Sequence, residues 1–237
     1  MISFIIPAHN EERFLAATLA SIRTAAASVG EAFELIVVDD ESTDETADIA
    51  RSANATVIPV SLRHIAAVRN AGARAASGDV LVFVDADTLV PAATLVAALA
   101  ALAQGAIGGG ARVRMDASAP AWVHRVWGVV SLMFSLRLAA GCFVFARRDA
   151  FDAVGGFDER LFYGEEVFLS RALSARGRFV IVREAVITSS RKFERVSLWE
   201  VIRQMVPLMT WSAMKRRHDW WYGPQRGSAK PGDDRGV

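Results

Sequence analysis

Short apolar runs alternate with Ala-rich helical stretches over the first hundred residues, and their spacing predicts the elements in turn. Ser3 to Ile6 reads as a strand broken by Pro7. Asn10 is placed to cap the helix that follows, with Glu11 and Glu12 in its first turn. Glu34 to Val38 predicts a second buried strand that delivers Asp39 and Asp40 at its carboxyl end, and Ser42-x-x-Glu45 is a capping box for a helix through Ser52. Thr56 to Val60 makes a third strand. A helix from Ile65 to Ala76 closes at Ser77-Gly78, and Val80 to Val84 is a fourth strand. Pro91 opens an Ala- and Leu-rich helix that Gln104-Gly105 ends. Such alternation predicts an α/β fold, a doubly wound and mostly parallel sheet with helices on both faces.

After residue 105 the pattern changes. Ile107 to Met115 and Gly141 to Arg147 read as strands flanking an apolar stretch from Trp122 to Leu138. Gly105-x-x-Gly108-Gly109-Gly110 follows a helix and opens none, so it reads as a turn rather than a phosphate loop. Val126 to Ala146 is almost long enough to cross a bilayer, but Arg137 interrupts it and Gly141 starts a strand; a helix covering a substrate cleft is the expectation. A further helix begins at Glu165-Glu166 and stops at Ala175-Arg176-Gly177. Ser197-Leu198-Trp199-Glu200 is another capping box, opening an apolar helix kinked at Pro207 that ends in Lys215-Arg216-Arg217-His218 before Trp220-Trp221-Tyr222. That helix suits either an anionic membrane surface or a packing or dimer contact. The layout is a domain over 1–195, in halves 1–105 and 106–195, then a helix over 196–222 and a disordered tail over 223–237.

Composition narrows the class. The chain has 237 residues, 52% of them hydrophobic, ample for a core in one large domain or a domain with an appendage. A net charge of +1 gives no nucleic-acid signal. The charge is lopsided, however: the first sixty residues are strongly acidic and the last fifty basic, so one end suits a cation and the other phosphates or an anionic surface. Cys142 is the only cysteine, which excludes an internal disulfide and reads as a small packed hydrophobe. The N-terminus lacks a basic region and a cleavage site, so a cytoplasmic protein is expected, peripheral at most on the inner face of the cytoplasmic membrane.

Asp85-Ala86-Asp87 is the densest chemical signal, because it ends the strand Val80 to Val84 where open α/β sheets bind ligands. A turn just past that strand lets both carboxylates reach one hard cation or its water shell, and such a cation grips a diphosphate. Four more segments accompany it: Ile6-Pro7-Ala8-His9-Asn10-Glu11-Glu12, Val37-Val38-Asp39-Asp40-Glu41-Ser42-Thr43-Asp44, Gly155-Gly156-Phe157-Asp158-Glu159 and Tyr163-Gly164-Glu165-Glu166. In this order and spacing, the five closely resemble the family 2 glycosyltransferases, which have the GT-A fold; the resemblance covers roughly residues 2–195.

The resemblance implies a metal-dependent, nonprocessive, inverting transfer of a sugar from a nucleoside-diphosphate sugar, UDP by default, to a hydroxyl or lipid-phosphate acceptor. It assigns the donor nucleotide to Pro7, Ala8, Asn10 and Glu11, to Asp40 with or without Asp39, to Arg69, and to Asp85 and Ala86. Asp87, with Asp85 directly or through water, would hold Mg²⁺ or Mn²⁺. Glu166 is the implied general base, and Gly156, Asp158 and Glu165 would lie near the acceptor or donor sugar. Each has a plainer reading: Asp40 and Ser42 as helix caps, Arg69 as a solvated helical residue, Asp158 as a turn former and Glu166 as an acid at a helix N-terminus. Arg191 and Lys192 either neutralise the diphosphate or form a solvated basic turn. His218 is a candidate third metal ligand, while His9 and His64 read as solvated or packed. Glu41 stands where the family usually has Gly, and no Gln-x-x-Arg-Trp motif of processive synthases is present. Two rivals stand beside this reading: a catalytically silent homologue binding nucleotide sugars as a scaffold, and a nucleotidyltransferase, which usually opens with a Gly-rich loop and a Lys where this chain has Pro7-Ala8-His9-Asn10.

Overall fold

The computed structural model describes residues 1–120, 141–162 and 164–191. The expected cleft-covering helix, Lys192, His218, the C-terminal helix and the tail lie outside them. The first half alternates as expected: β1 (Ile2–Ala8), α1 (Leu15–Val29), β2 (Phe33–Asp40), α2 (Thr46–Ser52), β3 (Thr56–Val60), α3 (Ile65–Ala75), β4 (Val80–Val84), β5 (Thr88–Leu89) and α4 (Ala92–Ala103). There follow β6 (Ala106–Met115), β7 (Phe143–Arg147), α5 (Arg148–Val154), α6 (Glu165–Ser174) and β8 (Arg178–Thr188).

One eight-stranded sheet runs in the order β3-β2-β1-β4-β7-β6-β8-β5. β3, β2, β1 and β4 are parallel. β7 reverses direction between β4 and β6, and β6 and β8 are again parallel. Strand alternation splits the core into two layers. Phe4, Ile6, Val37 and Val82 face α1 and α4, while Ile5, Val38, Leu81 and Phe83 face the small residues of α3 and the aromatics Phe151 and Phe157. The chain leaves β1 toward β2 on one side and reaches β4 on the other. Such a reversal opens a crevice between two carboxyl ends, here those of β1 and β4.

Several local expectations change. Asn10 does not cap α1. It takes a left-handed φ of 55°, and α1 starts only at Leu15, leaving Glu11 and Glu12 ahead of the helix rather than in its first turn. Asn10 instead straps two loops together, its amide N–H donating to Ser42 Oγ (3.0 Å) and its Oδ1 accepting from the Thr43 N–H (2.8 Å). Ser42 is therefore no cap for α2. Asp44 Oδ1 accepts the Thr46 N–H at that helix's start. Glu41, in the place where a glycine was expected, adopts φ 59°, so the backbone keeps the glycine conformation at a cost of about 1–2 kcal/mol.

The glycine cluster after α4 is only partly a turn. Gly105 turns with φ 88°, but Gly108, Gly109 and Gly110 pair within β6 against β7. A Cβ on Gly109 would lie 2.0 Å from the Val180 carbonyl oxygen and 2.4 Å from the Phe145 ring, so the aromatic fills the space a side chain would need. β5, α5 and β8 had no counterpart in the sequence reading. β8 pairs Ala111 with Val182 and Arg112 with Ala185, so Arg183 and Glu184 bulge and break the two-residue alternation that would have announced the strand. Gly109→Ala is expected to cost about 3 kcal/mol, the upper end of usual overpacking penalties, since backbone and a packed ring obstruct it. A urea-unfolding midpoint unchanged from the parent protein would contradict that packing.

Candidate functional site

At the crevice between β1 and β4 lies a cleft of about 460 Å³, lined by Pro7, Ala8, His9, Glu11, Asp40, Ile65, Val68, Asp85, Ala86, Asp87 and Arg191. Its floor is the turn after β4. The Asp85 N–H donates to the Cys142 carbonyl (3.2 Å), the Thr88 N–H to the Asp85 carbonyl (3.0 Å), and Thr18 Oγ1, reaching from α1, to the Ala86 carbonyl (2.8 Å). β8 closes the far side: Thr88 pairs with Thr188, and the Ser189 N–H donates to the Asp87 carbonyl (3.2 Å). The backbone carrying the two aspartates is thus fixed from three directions.

Their carboxylates diverge. Asp85 turns toward Arg69, whose Nη2 donates to Asp85 Oδ1 (2.8 Å) and to the Gly141 carbonyl (3.0 Å), while its Nη1 donates to Glu165 Oε1 (2.6 Å). Arg69 is 1% exposed and its guanidinium lies 5.3 Å from the centre of the Phe157 ring. It is no solvated helical arginine. Nor does it line the cleft; it stands behind the floor. Glu165, 2% exposed, is likewise turned inward onto Arg69 rather than toward a sugar. Asp87 turns the other way, its Oδ2 lying 3.1 Å from Arg191 Nε, with Thr188 Oγ1 at 3.4 Å from Oδ1. Arg191 also pairs with Glu11 and lies over Phe14, 4.9 Å from the ring centre. Arg191 is therefore part of the site and not a solvated surface residue.

Glu166, next along α6, lies beside the same cluster. A Cβ on Gly141 would meet its Cδ at 3.4 Å. Burial, reinforced by the negative charge of Glu165 and only partly relieved by Arg69, pushes its carboxyl up to about 8. Burial also raises Glu165 above the ordinary carboxyl range, against the pull of Arg69. For Arg69, burial works against the charge, yet Asp85, Glu165 and Glu166 together hold the guanidinium above its ordinary value. One cation therefore faces three carboxyls. Cys142 is buried and its thiol is pushed well up by that burial and by Asp85 and Asp87, as befits a packed hydrophobe.

The two aspartates after β2 differ. Asp39 Oδ1 accepts the Ser42 N–H (3.2 Å) and holds a turn, whereas only Asp40 lines the cleft. Asp40 is no helix cap: its carboxylate accepts the backbone N–H groups of Leu62 and Arg63 (both 2.8 Å), the latter at φ 48°. The sequence gives no sign of Arg63, and His9, expected to be solvated or packed, lines the cleft. His9 Nδ1 lies 2.7 Å from the Asp40 carbonyl and its Nε2 2.9 Å from Arg63 Nη1, on the cleft wall. His64 caps α3 and stacks on Phe162. Gly156 and Asp158 line a separate depression. There Asn70 receives the Phe157 N–H (3.0 Å) and donates to its carbonyl (2.9 Å), Gly156 packs on Asn70 and Phe151, and Asp158 is held by Arg160 in a bidentate pair (2.8 and 2.7 Å).

Among the described residues, no three His, Cys, Asp or Glu side chains converge as a ready metal cage. The donors at the cleft floor are carboxylate oxygens only. That set fits a hard, octahedral cation that keeps water and substrate oxygens, and it does not fit zinc. One of these acids, Asp87, already pairs with a cation, the Arg191 guanidinium, which also pairs with Glu11.

The sheet order, the switch-point cleft and the acids after β4 define a GT-A glycosyltransferase scaffold. A profile of glycosyl transferase family 2 matches residues 3–155, and the chain belongs to that family. An undecaprenyl-phosphate 4-deoxy-4-formamido-L-arabinose transferase of Pseudomonas aeruginosa is 30% identical over 137 residues, 53% of this chain and 40% of the relative. One from Salmonella newport is 31% identical over 102 residues, 38% of this chain and 30% of that protein. The chain thus spans well under half the length of these relatives. Among solved structures, a mannosyltransferase of Pyrobaculum calidifontis in complex with GDP-Man and Mn²⁺ superposes with a TM-score of 0.65 at 21% identity, over 78% of this chain and 56% of that one. Glucosyl-3-phosphoglycerate synthase of Mycobacterium tuberculosis with Mn²⁺, UDP and glucosyl-3-phosphoglycerate gives 0.62 at 20% identity, over 92% and 81%.

Removing the central guanidinium leaves buried carboxyls uncompensated, so Arg69→Met is expected to cost about 3–5 kcal/mol. Adding Glu165→Leu should recover part of that loss. A double-mutant cycle by chemical denaturation measures the coupling, and strict additivity would show that the two charges act independently.

Proposed function

We propose that this chain transfers a sugar from a nucleoside-diphosphate sugar bound in the β1–β4 cleft, with Glu166 as general base. One observation carries the reading. At the switch point, Asp85 and Asp87 lie at the floor of a cleft, and Arg69, which pairs with Asp85, flanks Gly141 together with Glu166, an acid whose carboxyl burial pushes up to about 8.

Pro7, Ala8 and Asp40 supply the wall for the nucleoside, with His9 and its neighbour Arg63 as additional polar contacts. Asp87 and Asp85 would hold Mg²⁺ or Mn²⁺, which supplies stabilisation for the charge that develops on the departing diphosphate. Glu166, once ionised, accepts the proton of the acceptor's hydroxyl or monoprotonated phosphate as the acceptor oxygen attacks the anomeric carbon and the nucleoside diphosphate departs. Arg69 holds Asp85 and Glu165, the residue just before Glu166, in fixed relation, so it serves as a positioning residue rather than a nucleotide contact. Inversion is inferred from the family's stereochemistry, and single transfer from the lack of the Gln-x-x-Arg-Trp motif of processive synthases in the sequence. The relatives named for undecaprenyl phosphate favour a lipid-phosphate acceptor, in keeping with the basic C-terminal region. Among the described residues no helix is long and apolar enough to cross a membrane.

Asp87→Asn should abolish metal-dependent transfer, read as release of nucleoside diphosphate with and without Mn²⁺ across a panel of UDP, GDP and dTDP sugars. Full turnover in that variant would remove the cation from the reading. Because a base works only when ionised, kcat/KM should climb about tenfold per pH unit below about 8 and level off above it. Glu166→Gln should lower kcat by about 10²–10⁴ and erase that rise, with donor affinity nearly unchanged. A variant that loses donor binding alone, or keeps the pH profile, would disqualify Glu166.

A further inference from the structure

We infer that Arg191 is a built-in cation that occupies the acidic side of the cleft and makes uptake of a divalent metal conditional on a diphosphate; this rests on the reading above. Its guanidinium bridges Glu11 and Asp87, using Nη2 on Glu11 and Nε on Asp87 Oδ2 at 3.1 Å. The other Asp87 oxygen faces Thr188 Oγ1 at 3.4 Å. Arg191 Nε lies 3.1 Å from Oδ2, in the space a metal ion on that oxygen would take, and two adjacent cations repel in a cleft partly shielded from water. Entry of the metal at Asp87 therefore requires the guanidinium to move.

The structure provides for that motion without unfolding. The backbone of Arg191 is anchored beside the site, its N–H donating to Ser189 Oγ (3.2 Å), with Ser190 Oγ on Asp116 Oδ1 (2.8 Å) and the Ser189 N–H on the Asp87 carbonyl (3.2 Å). The side chain, 30% exposed and lying on Phe14, is held only through its tip and its stacked face. A guanidinium has five N–H donors in a planar fork suited to phosphate oxygens. Metal alone must displace Arg191 and leave it without its acidic partners. Metal arriving with a diphosphate gives it new anionic oxygens a short rotation away. The two ligands consequently favour each other, and the coupling is reciprocal.

Titration calorimetry of Mn²⁺ alone, UDP alone and Mn²⁺ at saturating UDP, with GDP as a second nucleotide, tests this on the parent protein, Arg191→Met and Arg191→Lys. Arg191→Met keeps the apolar stem on Phe14 and removes the charge; thermal unfolding of each variant verifies folding. In Arg191→Met, Mn²⁺ alone should bind at least tenfold tighter than in the parent. The tightening of Mn²⁺ binding produced by UDP should shrink by a similar factor, and Arg191→Lys should lie between. Unchanged or weaker binding of Mn²⁺ alone to folded Arg191→Met would overturn the inference. If Arg191→Met gains Mn²⁺ affinity while the parent takes up no nucleotide with the metal, Arg191 remains the occluding cation and the donor reading fails instead.

Discussion

A single buried positive charge organises the site. Arg69 projects from α3, which Gly72 lets press onto the sheet: a Cβ there would come within 2.4 Å of Ile5 Cγ2. From behind the cleft floor its guanidinium ties the end of β4 through Asp85, the start of α6 through Glu165 and the start of the segment into β7 through the Gly141 carbonyl. These three elements are distant in sequence, and one side chain bonds to all of them. Burying ions costs several kcal/mol apiece, and such a cluster persists only when its hydrogen bonds are well made. With three carboxyls against one guanidinium, neutrality within the cluster is impossible unless acids keep protons. Burial first, and the neighbouring charge of Glu165 second, raise the Glu166 carboxyl within this cluster.

The half of the molecule built by strand–helix alternation was legible because it obeys local rules. Apolar runs of five to eight residues bounded by Pro, Gly or Asp are β1 to β4, and the acids at their ends fall where open sheets bind ligands. The second half resisted for identifiable reasons. β8 carries a bulge at Arg183-Glu184 that breaks its alternation, and β6 contains three consecutive glycines whose space is filled by an aromatic from the neighbouring strand. Both are tertiary facts with no local signature.

Site residues divide along the same line. That Asp85, Asp87, Asp40 and Glu11 share a cleft followed from their positions after strands. Which way each carboxylate turns did not, because direction is set by partners from remote segments. Arg69 had one available sign: it sits in Ile65-Ala66-Ala67-Val68-Arg69-Asn70-Ala71-Gly72-Ala73, a helix of small residues with little polar surface around it. Arg74, on the same helix, is exposed, so that sign alone does not separate the buried arginine from the solvated one. Arg191 gave no comparable sign, since its partners Glu11 and Asp87 are brought to it by β8 and by the turn after β4.

Asn10, Glu41 and Arg63 all hold left-handed backbone angles beside residues that line the cleft. Each is kept there by a specific acceptor or donor: Asn10 by Ser42 and Thr43, Glu41 by Ser61 Oγ at 2.6 Å, Arg63 by Asp40. Side-chain-bearing residues adopt such angles at a cost of about 1–3 kcal/mol each. The rim of the cleft is accordingly shaped in advance of any guest, during folding itself. A nucleotide entering it meets loops whose entropy has already been surrendered, so more of its contact energy is retained as affinity and less is spent on ordering the host.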